Sequence, residues 1–473
     1  MNDRRARVAI DLGAESCRVS LLRWHDEEPR ITEVHRIPNG PIEKDASLRW
    51  ALGRVLSGLE EGLHKAAAEA PEGIASIAVD GWAVDYVRLD QNGLPPHDPF
   101  CYRDERTVEA KQKADKLLPP EQAFQRTGAQ PLRINTVYQL LADPDNEKES
   151  PWVCLPEYVL HWLGAPRVAE FTNATHTGLV DIATGDWAMD LFEQLGIPIE
   201  AAPCIVAPGT RLGQLQGPLA ALPAFHDTEL IAPACHDTAS AIAGIPADLD
   251  STAYICSGTW SLVGTLVSEP IATVEALAAR YTNQGAAAGG FCFHTNVNGM
   301  WLLKQCIDTW ISAGRAVNIP ELIQRASVCV LAGIINVDAE PLLLSGDMPA
   351  RINHELTIGR RLPIVDKPGN EAQFARVIFE SLAARYATAL ADLEQMIHRK
   401  LARIHIIGGA SRNQLLADLT AQRTGLPVEC GHPESSTIGN FALQLAATEE
   451  ATEGVTRNGV RRWASLLSNS TPH

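Results

Sequence analysis

The stretch ARVAIDLGAESCRVSLLRW, residues 6–24, decides the fold. Val8, Ile10 and Leu12 alternate with other residues before a short run of small residues, and valine and leucine alternate again after it. Period-two alternation on both sides of a tight turn is typical of two paired strands. We therefore predict a β-hairpin whose tip, residues 13–16, carries no bulky apolar side chain.

The same order of elements is predicted twice along the chain. In the first half the hairpin is followed by a strand over 31–37, a helix over 48–70 and a buried strand that ends at Asp80. In the second half a hairpin over 252–268 is followed by a helix over 371–398, a buried strand over 404–409, a helix from Asn413, a strand over 426–430 and a helix over 436–447. This repeat predicts two related α/β domains that face one another.

The predicted domain boundary lies near residue 245, in the linker-like segment GIPADLDS. We expect an N-terminal domain over 1–245, a C-terminal domain over 246–450 and a tail over 451–473. Residues 95–217 are rich in loops and short strands, so we expect them to form an insertion that caps the first domain over a ligand. Residues 283–299 and 331–362 are predicted to be similarly irregular.

Composition excludes several classes of function. The 473 residues are 45% hydrophobic and 21% charged, which is typical of a globular protein with a large core. A formal net charge of −17 disfavours nucleic acid as a partner. The 10 cysteines form no CxxC pair, so we expect neither a zinc site nor a redox dithiol. No signal peptide and no membrane-spanning run is predicted, and the expected location is the cytoplasm.

Turns of small residues recur at three places that could hold phosphate groups. Gly13 to Ser16 and then Gly258 with Thr259 close the two hairpins, and Gly408 with Gly409 follows a buried strand. Backbone N–H groups in such turns form a concave nest that binds anionic oxygens. Each turn alone is equally well explained as an ordinary turn, in which Gly and Ser are the commonest residues. Three of them in this order favour a nucleotide site outside the carboxyl ends of strands.

Two aspartates stand where chemistry could occur. Asp11 ends the first strand beside the first small-residue turn, where a carboxylate could hold Mg²⁺ through water. Asp237, in the stretch ACHDTASA, follows an apolar run that ends at Cys235 and precedes small residues. Asp is also a common start of a helix, because its oxygens accept hydrogen bonds from the first turn. A general base that takes a proton in the reaction is the alternative role for Asp237.

A set of longer motifs carries a resemblance to a known family. They are AIDLGAES (9–16), VDGWAVDYVRLD (79–90), YRDERT (102–107), NTVYQL (135–140), EFTNATHTGLVD (170–181), HDTASA (236–241), SGTWSL (257–262), GMWLLK (299–304), GGASRN (408–413) and ESSTIGNFALQL (434–445). In this order they resemble the FGGY carbohydrate kinases along nearly the whole chain. The resemblance implies two ribonuclease-H-like domains of the actin and hexokinase type, with a sugar and MgATP bound in the cleft between them.

The resemblance also implies roles for individual residues. Asp237 matches the catalytic base, which takes the proton from the sugar hydroxyl. The matched positions for ATP are Gly13, Ala14, Glu15, Ser16, Cys17, Gly258, Thr259, Lys304, Gly408 and Gly409. The matched positions for the sugar are Trp82, Ala83, His236, Thr238 and Asn296.

The motifs are most similar to those of family members that act on L-rhamnulose, so the resemblance implies phosphorylation of the 1-hydroxyl of that ketose by ATP. Another ketose, such as L-fuculose or a pentulose, is the main alternative. The first turn reads GAESC where such members usually have GASSG. Lys304 stands where a glutamine is usual, and its positive charge could offset the negative charge of Glu15. These changes keep open a weakly active protein that senses sugar or nucleotide. The expected partners are therefore a ketose and MgATP, with no membrane and no nucleic acid.

Overall fold

The structure, a computed structural model, describes residues 3–26, 28–449 and 455–469. Its strands are β1 Ala6–Leu12, β2 Ser16–His25, β3 Glu28–Pro38, β4 Pro41–Lys44, β5 Ser47–Trp50, β6 Ile74–Gly81, β7 Tyr86–Arg88, β8 Trp152–Cys154, β9 Val168–Glu170, β10 Val180–Asp181, β11 Asp186–Trp187, β12 Cys204–Val206, β13 Thr210–Gln214, β14 Glu229–Ala232, β15 Thr252–Ser257, β16 Trp260–Val267, β17 Tyr281–Gly285, β18 Phe291–Asn298, β19 Arg403–Ile407 and β20 Val428–Cys430. Its α-helices are α1 Leu52–Glu69, α2 Thr107–Leu117, α3 Pro120–Thr127, α4 Thr136–Leu141, α5 Leu155–Trp162, α6 Phe171–Ala174, α7 Met189–Leu195, α8 Asp237–Ala243, α9 Val274–Ala278, α10 Trp301–Ser312, α11 Ile319–Val328, α12 Met348–Ile358, α13 Glu371–Met396, α14 Gln414–Thr424, α15 Ser435–Glu449 and α16 Arg457–Leu467.

The first half of the chain forms a mixed sheet of six strands in the order β13-β14-β6-β1-β2-β3. Its central strand β1 pairs antiparallel with β2, as the hairpin pattern predicts, and parallel with β6. All seven residues of β1 are buried, because helices cover both faces of the sheet. A strand covered on both faces is apolar almost throughout, which explains the run that precedes Asp11.

The second half repeats this arrangement in a sheet of order β17-β18-β16-β15-β19-β20. Here β15 pairs antiparallel with β16 and parallel with β19, as β1 pairs with β2 and β6. The two related α/β units that the sequence predicts are therefore visible as two sheets with the same central pairing. In both sheets the hairpin tip and the end of a neighbouring parallel strand lie at one edge.

Helices α8 and α15 lie between the two sheets. Phe441 of α15 and Ala239 of α8 pack in one cluster with Ala9 of the first sheet. Ile242 of α8 packs with Tyr254 of the second sheet. On the outer faces α1 covers the first sheet and α13 covers the second. The helix that begins with Asp237 is thus held from both halves of the molecule.

Several predicted boundaries are wrong. The helix predicted over 48–70 begins at Leu52, because Ser47–Trp50 pairs as a strand with Pro41–Lys44. The region predicted to be irregular over 283–299 contains most of β17 and all of β18, which form a hairpin in the second sheet. The irregular region over 331–362 contains the helix α12, whose first turn is capped by Asp347. The segment 95–217 contains six helices, α2 to α7, in addition to short strands.

The predicted tail over 451–473 contains a helix, Arg457–Leu467, in its described part. Residues 451–454 and 470–473 of that tail lie outside the described residues. Val460, Trp463 and Ala464 are buried, and they pack with α15 beside the first sheet. Their spacing of three and four residues is a helical signal that was present in the sequence. Within the described ranges, no helix is both long and apolar enough to cross a membrane.

Candidate active site

Three aspartates meet at the edge of the first sheet. Asp11 and Asp80 are opposite each other in the parallel pair of β1 and β6. The strand β14 pairs parallel with β6, and the chain then leads through His236 to Asp237 at the start of α8. Because the carboxyl ends of parallel strands meet at one edge, residues far apart in sequence are brought into one cleft.

The structure does not support a capping role for Asp237. The N-cap residue of α8 is His236, and its side chain makes no capping hydrogen bond. Oδ1 of Asp237 instead accepts a hydrogen bond from Oγ1 of Thr238 at 3.1 Å. The Asp237 side chain keeps 34% exposure, so a substrate can reach the carboxyl group from the cleft.

The surroundings of Asp237 suit proton transfer near neutral pH. The walls of the cleft desolvate its carboxyl group and the negative charge of Asp11 adds to the effect, so that the pKa is raised from its ordinary 3.8 to about 7. Hydrogen bonding to Thr238 and the charge of Arg18 act in the opposite direction. A carboxyl group with a pKa close to the working pH can both accept and release a proton.

The other two aspartates differ in their partners. Oδ2 of Asp11 accepts hydrogen bonds from the Arg18 guanidinium at 2.6 Å and from Oγ of Ser436 at 2.5 Å. Asp80 is fully buried, and Oδ2 accepts from Nδ2 of Asn440 at 2.6 Å while Oδ1 has no partner. Burial and the charge of Asp11 raise the pKa of Asp80 well above its ordinary range. Three carboxyl groups are therefore gathered at this edge, with Arg18 beside them.

The first predicted phosphate turn is tight and braced. Gly13 N–H donates to the carbonyl oxygen of Ser16 at 3.2 Å, and a Cβ at Gly13 would come within 2.5 Å of that oxygen. Nδ2 of Asn39 donates to the Gly13 carbonyl at 2.9 Å. Ala14 and Ser16 are half-buried, whereas Glu15 is exposed. Only a glycine at the first position therefore allows the turn to close this tightly.

Three of the predicted nucleotide residues have other surroundings than expected. Cys17 belongs to β2 and is fully buried, and burial raises the pKa of its thiol to about 12, so it is part of the core. Lys304 is exposed on α10 and its Nζ pairs with Asp308 at 3.2 Å. Burial acts to lower the pKa of Arg103, but Tyr102 and, to a smaller extent, the charge of Glu15 raise it. That Lys304 offsets the charge of Glu15 stays a prediction.

The residues of the second half that are predicted to bind the nucleotide lie at the edge of the second sheet. Gly258 and Thr259 form the tip between β15 and β16, and their carbonyls accept hydrogen bonds from the N–H groups of Met300 and Trp301. Gly408 has a φ of +79°, and an added Cβ there would lie 3.0 Å from the Ser257 carbonyl. A Cβ at Gly258 or at Gly409 would meet nothing within 4 Å. These two glycines therefore line open space beside adjacent parallel strands.

The loop that carries Trp82 and Ala83 is held in place by a hydrogen bond to Asp85. Nε1 of Trp82 donates to Oδ2 of Asp85 at 2.9 Å, and Nε1 of Trp50 donates to the same oxygen at 2.6 Å. Burial raises the pKa of Asp85 to about 6. Val84 has a φ of +72°, a strained conformation for a β-branched residue. Sequence reasoning missed the strained backbone at Val84.

The remaining residues that are predicted to bind the sugar lie on both halves of the molecule. His236 and Thr238 flank Asp237, and Nε2 of His236 lies 3.4 Å from Oδ1 of Asp237. Asn296 is exposed on β18, opposite Leu262 of β16. Asn296 therefore belongs to the second sheet, whereas His236 and Thr238 follow the first.

A buried polar network under His236 was also missed. Oε2 of Glu170 accepts a hydrogen bond from the Cys235 N–H at 2.7 Å, and Oγ1 of Thr172 accepts one from the His236 N–H at 3.3 Å. Burial raises the pKa of Glu170 to about 8. The motif EFTNATHTGLVD contained these residues, but only the structure shows that they hold the segment leading to Asp237.

The fold is that of two-domain sugar and glycerol kinases. The structure matches that of ligand-bound xylulose kinase from Lactobacillus acidophilus with a TM-score of 0.76, at 17% sequence identity and with 98% of this chain and 96% of the other covered. It matches that of glycerol kinase from Plasmodium falciparum with ADP with a TM-score of 0.77, at 14% identity and with 98% and 93% covered. The predicted fold class is thereby confirmed.

The sequence comparisons identify the family. The model of the N-terminal domain of the FGGY family of carbohydrate kinases matches residues 6–244, and the model of the C-terminal domain matches residues 253–448. The chain is 33% identical over 471 residues to rhamnulokinase from Bacteroides thetaiotaomicron, covering 98% of this chain and 94% of that protein. It is 34% identical over 451 residues to rhamnulokinase from Pectobacterium carotovorum, covering 93% and 88%. The chain therefore belongs to the FGGY family of carbohydrate kinases, which implies a sugar and a nucleotide as substrates.

Proposed function

We propose that the protein transfers the γ-phosphoryl group of ATP to the 1-hydroxyl of L-rhamnulose, giving L-rhamnulose 1-phosphate and ADP. The similarity to two rhamnulokinases over more than nine-tenths of the chain supports this choice of sugar. The observation that best supports phosphoryl transfer is the state of Asp237. Its carboxyl group lies at the edge of the first sheet, can be reached from the cleft and has a pKa raised to about 7. Another ketose, such as L-fuculose or a pentulose, is the alternative substrate.

The residues of the cleft divide the reaction between them. The segment over 1–245 provides the sugar side with Trp82, Ala83, His236 and Thr238, and the segment over 246–450 provides the nucleotide side with Gly258, Thr259 and Gly409. Oδ1 of Asp237 faces Thr238 and His236, so Oδ2 is left to accept the proton of the sugar hydroxyl. As that proton leaves, the hydroxyl oxygen bonds to the γ-phosphorus and the bond to the ADP oxygen breaks. Phosphoryl transfer of this kind depends on positioning and on charge stabilisation.

The acidic edge fits a magnesium ion held together with phosphates. Among the described residues, no group of three or more His, Cys, Asp or Glu side chains could hold a metal on its own. Mg²⁺ usually binds through one or two carboxylates, several waters and the substrate phosphates, so such a group is not required. Asp80 has a buried oxygen without a partner, and Asp11 lies beside it in the sheet. We propose that these two carboxylates hold Mg²⁺, which neutralises charge on the phosphates.

The ketose itself is tested by a substrate screen. Purified protein with MgATP is assayed for ADP release with L-rhamnulose, L-fuculose, L-ribulose and D-xylulose. A site that bonds particular hydroxyls rejects a sugar in which one is missing or inverted, so L-rhamnulose should have the highest kcat/KM, by about tenfold or more. A tenfold higher kcat/KM for another ketose would overturn the assignment of L-rhamnulose as the substrate, whereas the assignment of the protein as a kinase would stand. If none of the ketoses stimulates ADP release, the alternative of a weakly active protein that senses sugar or nucleotide is favoured.

The raised pKa of Asp237 predicts an acid limb in the rate. A base must be ionised before it can take the sugar proton, so kcat/KM should fall about tenfold for each pH unit below the pKa of the free enzyme. We expect the midpoint at about pH 7, because burial and Asp11 raise the pKa of Asp237 to about 7. The profile is measured with MgATP saturating and the ketose below its KM. A rate that stays flat down to pH 5 would contradict Asp237 as the base.

A further inference from the structure

A chain of polar side chains leads from the second sheet to the candidate base, with hydrogen bonds between Gln284, His176 and His236 and a longer contact from His236 to Asp237. Nε2 of Gln284 on β17 lies 3.2 Å from Nδ1 of His176. Nε2 of His176 lies 3.0 Å from Nδ1 of His236, and Nε2 of His236 lies 3.4 Å from Oδ1 of Asp237. The two imidazole rings are in contact, with centroids 4.0 Å apart.

The amide of Gln284 sets the direction of this chain. An amide nitrogen only donates, so Nδ1 of His176 must accept and its Nε2 must carry the proton. Nε2–H of His176 then donates to Nδ1 of His236, which leaves the second proton position, Nε2–H of His236, facing Asp237. Burial lowers the pKa of His176 well below its ordinary value and that of His236 to about 3. Each ring is therefore neutral near pH 7 and has a single N–H.

Resting on the function proposed above, we propose that Gln284 and His176 are positioning residues for the kinase reaction. They fix the tautomer of His236, so that its Nε2–H, and not a nitrogen lone pair, lies beside Oδ1 of Asp237 while Oδ2 stays available for the sugar proton. The opposite tautomer would direct a nitrogen lone pair at the carboxylate, and the two would repel each other. A group that fixes the tautomer of a neighbouring histidine is a known way to orient a catalytic site.

The chain also joins the two halves of the molecule. Gln284 belongs to β17 of the second sheet, and the next residue, Gly285, donates its N–H to Oγ1 of Thr175 at 2.9 Å. His176 therefore lies between a strand of the second sheet and the residue that precedes the base. The orientation of Asp237 therefore depends on the packing of β17 against residues 171–177.

The test reverses the direction of the hydrogen bonds along this chain with a substitution that hardly changes the shape of the side chain. In Gln284→Glu the carboxylate accepts from Nδ1–H of His176, so both histidines should switch tautomer and turn a lone pair toward Asp237. We expect kcat to fall by about 10- to 100-fold, as is typical when an outer partner of a site is lost. The KM for MgATP should stay within twofold, because the nucleotide residues lie on other loops.

The matched control is Gln130→Glu. Nε2 of Gln130 also crosses to the second half, donating to the carbonyls of Tyr281 at 2.8 Å and Leu277 at 3.2 Å, but it does not contact His176. This variant should lose a comparable amount of thermal stability and keep its kcat. His176→Phe should lose activity as Gln284→Glu does, whereas His176→Gln, whose amide can donate to Nδ1 of His236, should recover most of it.

Nuclear magnetic resonance with ¹⁵N-labelled histidine gives a readout that does not depend on activity. His236 should carry its proton on Nε2 in the unmodified protein and on Nδ1 in Gln284→Glu. Finding Nδ1–H in the unmodified protein, or equal losses of kcat in Gln284→Glu and Gln130→Glu, would overturn the proposal. If no ketose supports ADP release, the proposed function fails while the spectra still decide the tautomer.

Discussion

Replacing Asp237 with Asn is expected to lower kcat by about 10² to 10⁴, the usual range for loss of a general base. The amide oxygen can still accept the hydrogen bond from Thr238, which Oδ1 of Asp237 accepts at 3.1 Å, so the loop keeps its shape. The neutral amide cannot take the proton of the sugar hydroxyl. Both substrates should still bind, because their other contacts remain, and KM values should change little.

Melting curves measured beside the kinetics separate catalysis from structure. Burial and the charge of Asp11 raise the pKa of Asp237, which means that the folded protein disfavours the ionised carboxyl group. A neutral Asn should therefore leave the melting temperature unchanged or raise it at pH 8. The matched control is Asp145→Asn, at a side chain that is 97% exposed, and it should match the unmodified protein in both measurements. Full activity in Asp237→Asn would exclude the catalytic role.

The central parts of the fold were predictable because their signals are local. The alternation around Gly13 lies within a few residues of the turn, and the structure forms the hairpin between β1 and β2 there. The second hairpin, between β15 and β16, shows the same pattern and the same pairing with a parallel strand. Asp11, Asp80 and Asp237 each end a buried run, so their approach to one edge follows from parallel pairing.

Other parts could not be read from local patterns. The strand β17 has the sequence YTNQG, whose polar residues do not alternate with apolar ones, yet all five are buried. Asn283 is satisfied there by the carbonyls of Gly128 and Ile271, at 3.2 and 3.0 Å. One of the hydrogen-bond partners of Asn283, Gly128, is 155 residues away in the sequence. No pattern within the strand indicates such a partner.

The same reason explains what was missed in the candidate site. His176 and His236 are 60 residues apart, and His176 and Gln284 are 108 residues apart. A lone histidine in a sequence gives no indication of which nitrogen is bonded. Lys304 pairs with Asp308, which is four residues away on the same helix, and side chains of opposite charge at that spacing are neighbours on a helix surface.

We expect the second large effect from substitution of a glycine where α8 and α15 cross. A Cβ on Gly439 of α15 would lie 1.7 Å from the Ser240 carbonyl oxygen and 2.9 Å from the Gly244 nitrogen. These are backbone atoms, which cannot rotate away as a side chain can. A Cβ on Gly244 would in turn lie 2.4 Å from the Ser435 carbonyl oxygen. The two helices are therefore in contact through glycine on both sides, and the helix that begins with Asp237 depends on that contact.

Gly439→Ala should force α15 away from α8 and destabilise the protein by at least the ~1–3 kcal/mol that overpacking of a tight core costs. Because α8 begins with Asp237, kcat should fall together with the melting temperature, and both are measured on the same preparation. The matched control is Gly53→Ala, in the exposed first turn of α1, where a Cβ would meet nothing within 4 Å. Removing glycine from a helix stabilises by roughly 0.5–1 kcal/mol, so this variant should melt at the same or a higher temperature with unchanged kcat. Equal melting temperatures for Gly439→Ala and the unmodified protein would show that α8 and α15 do not cross as closely as described.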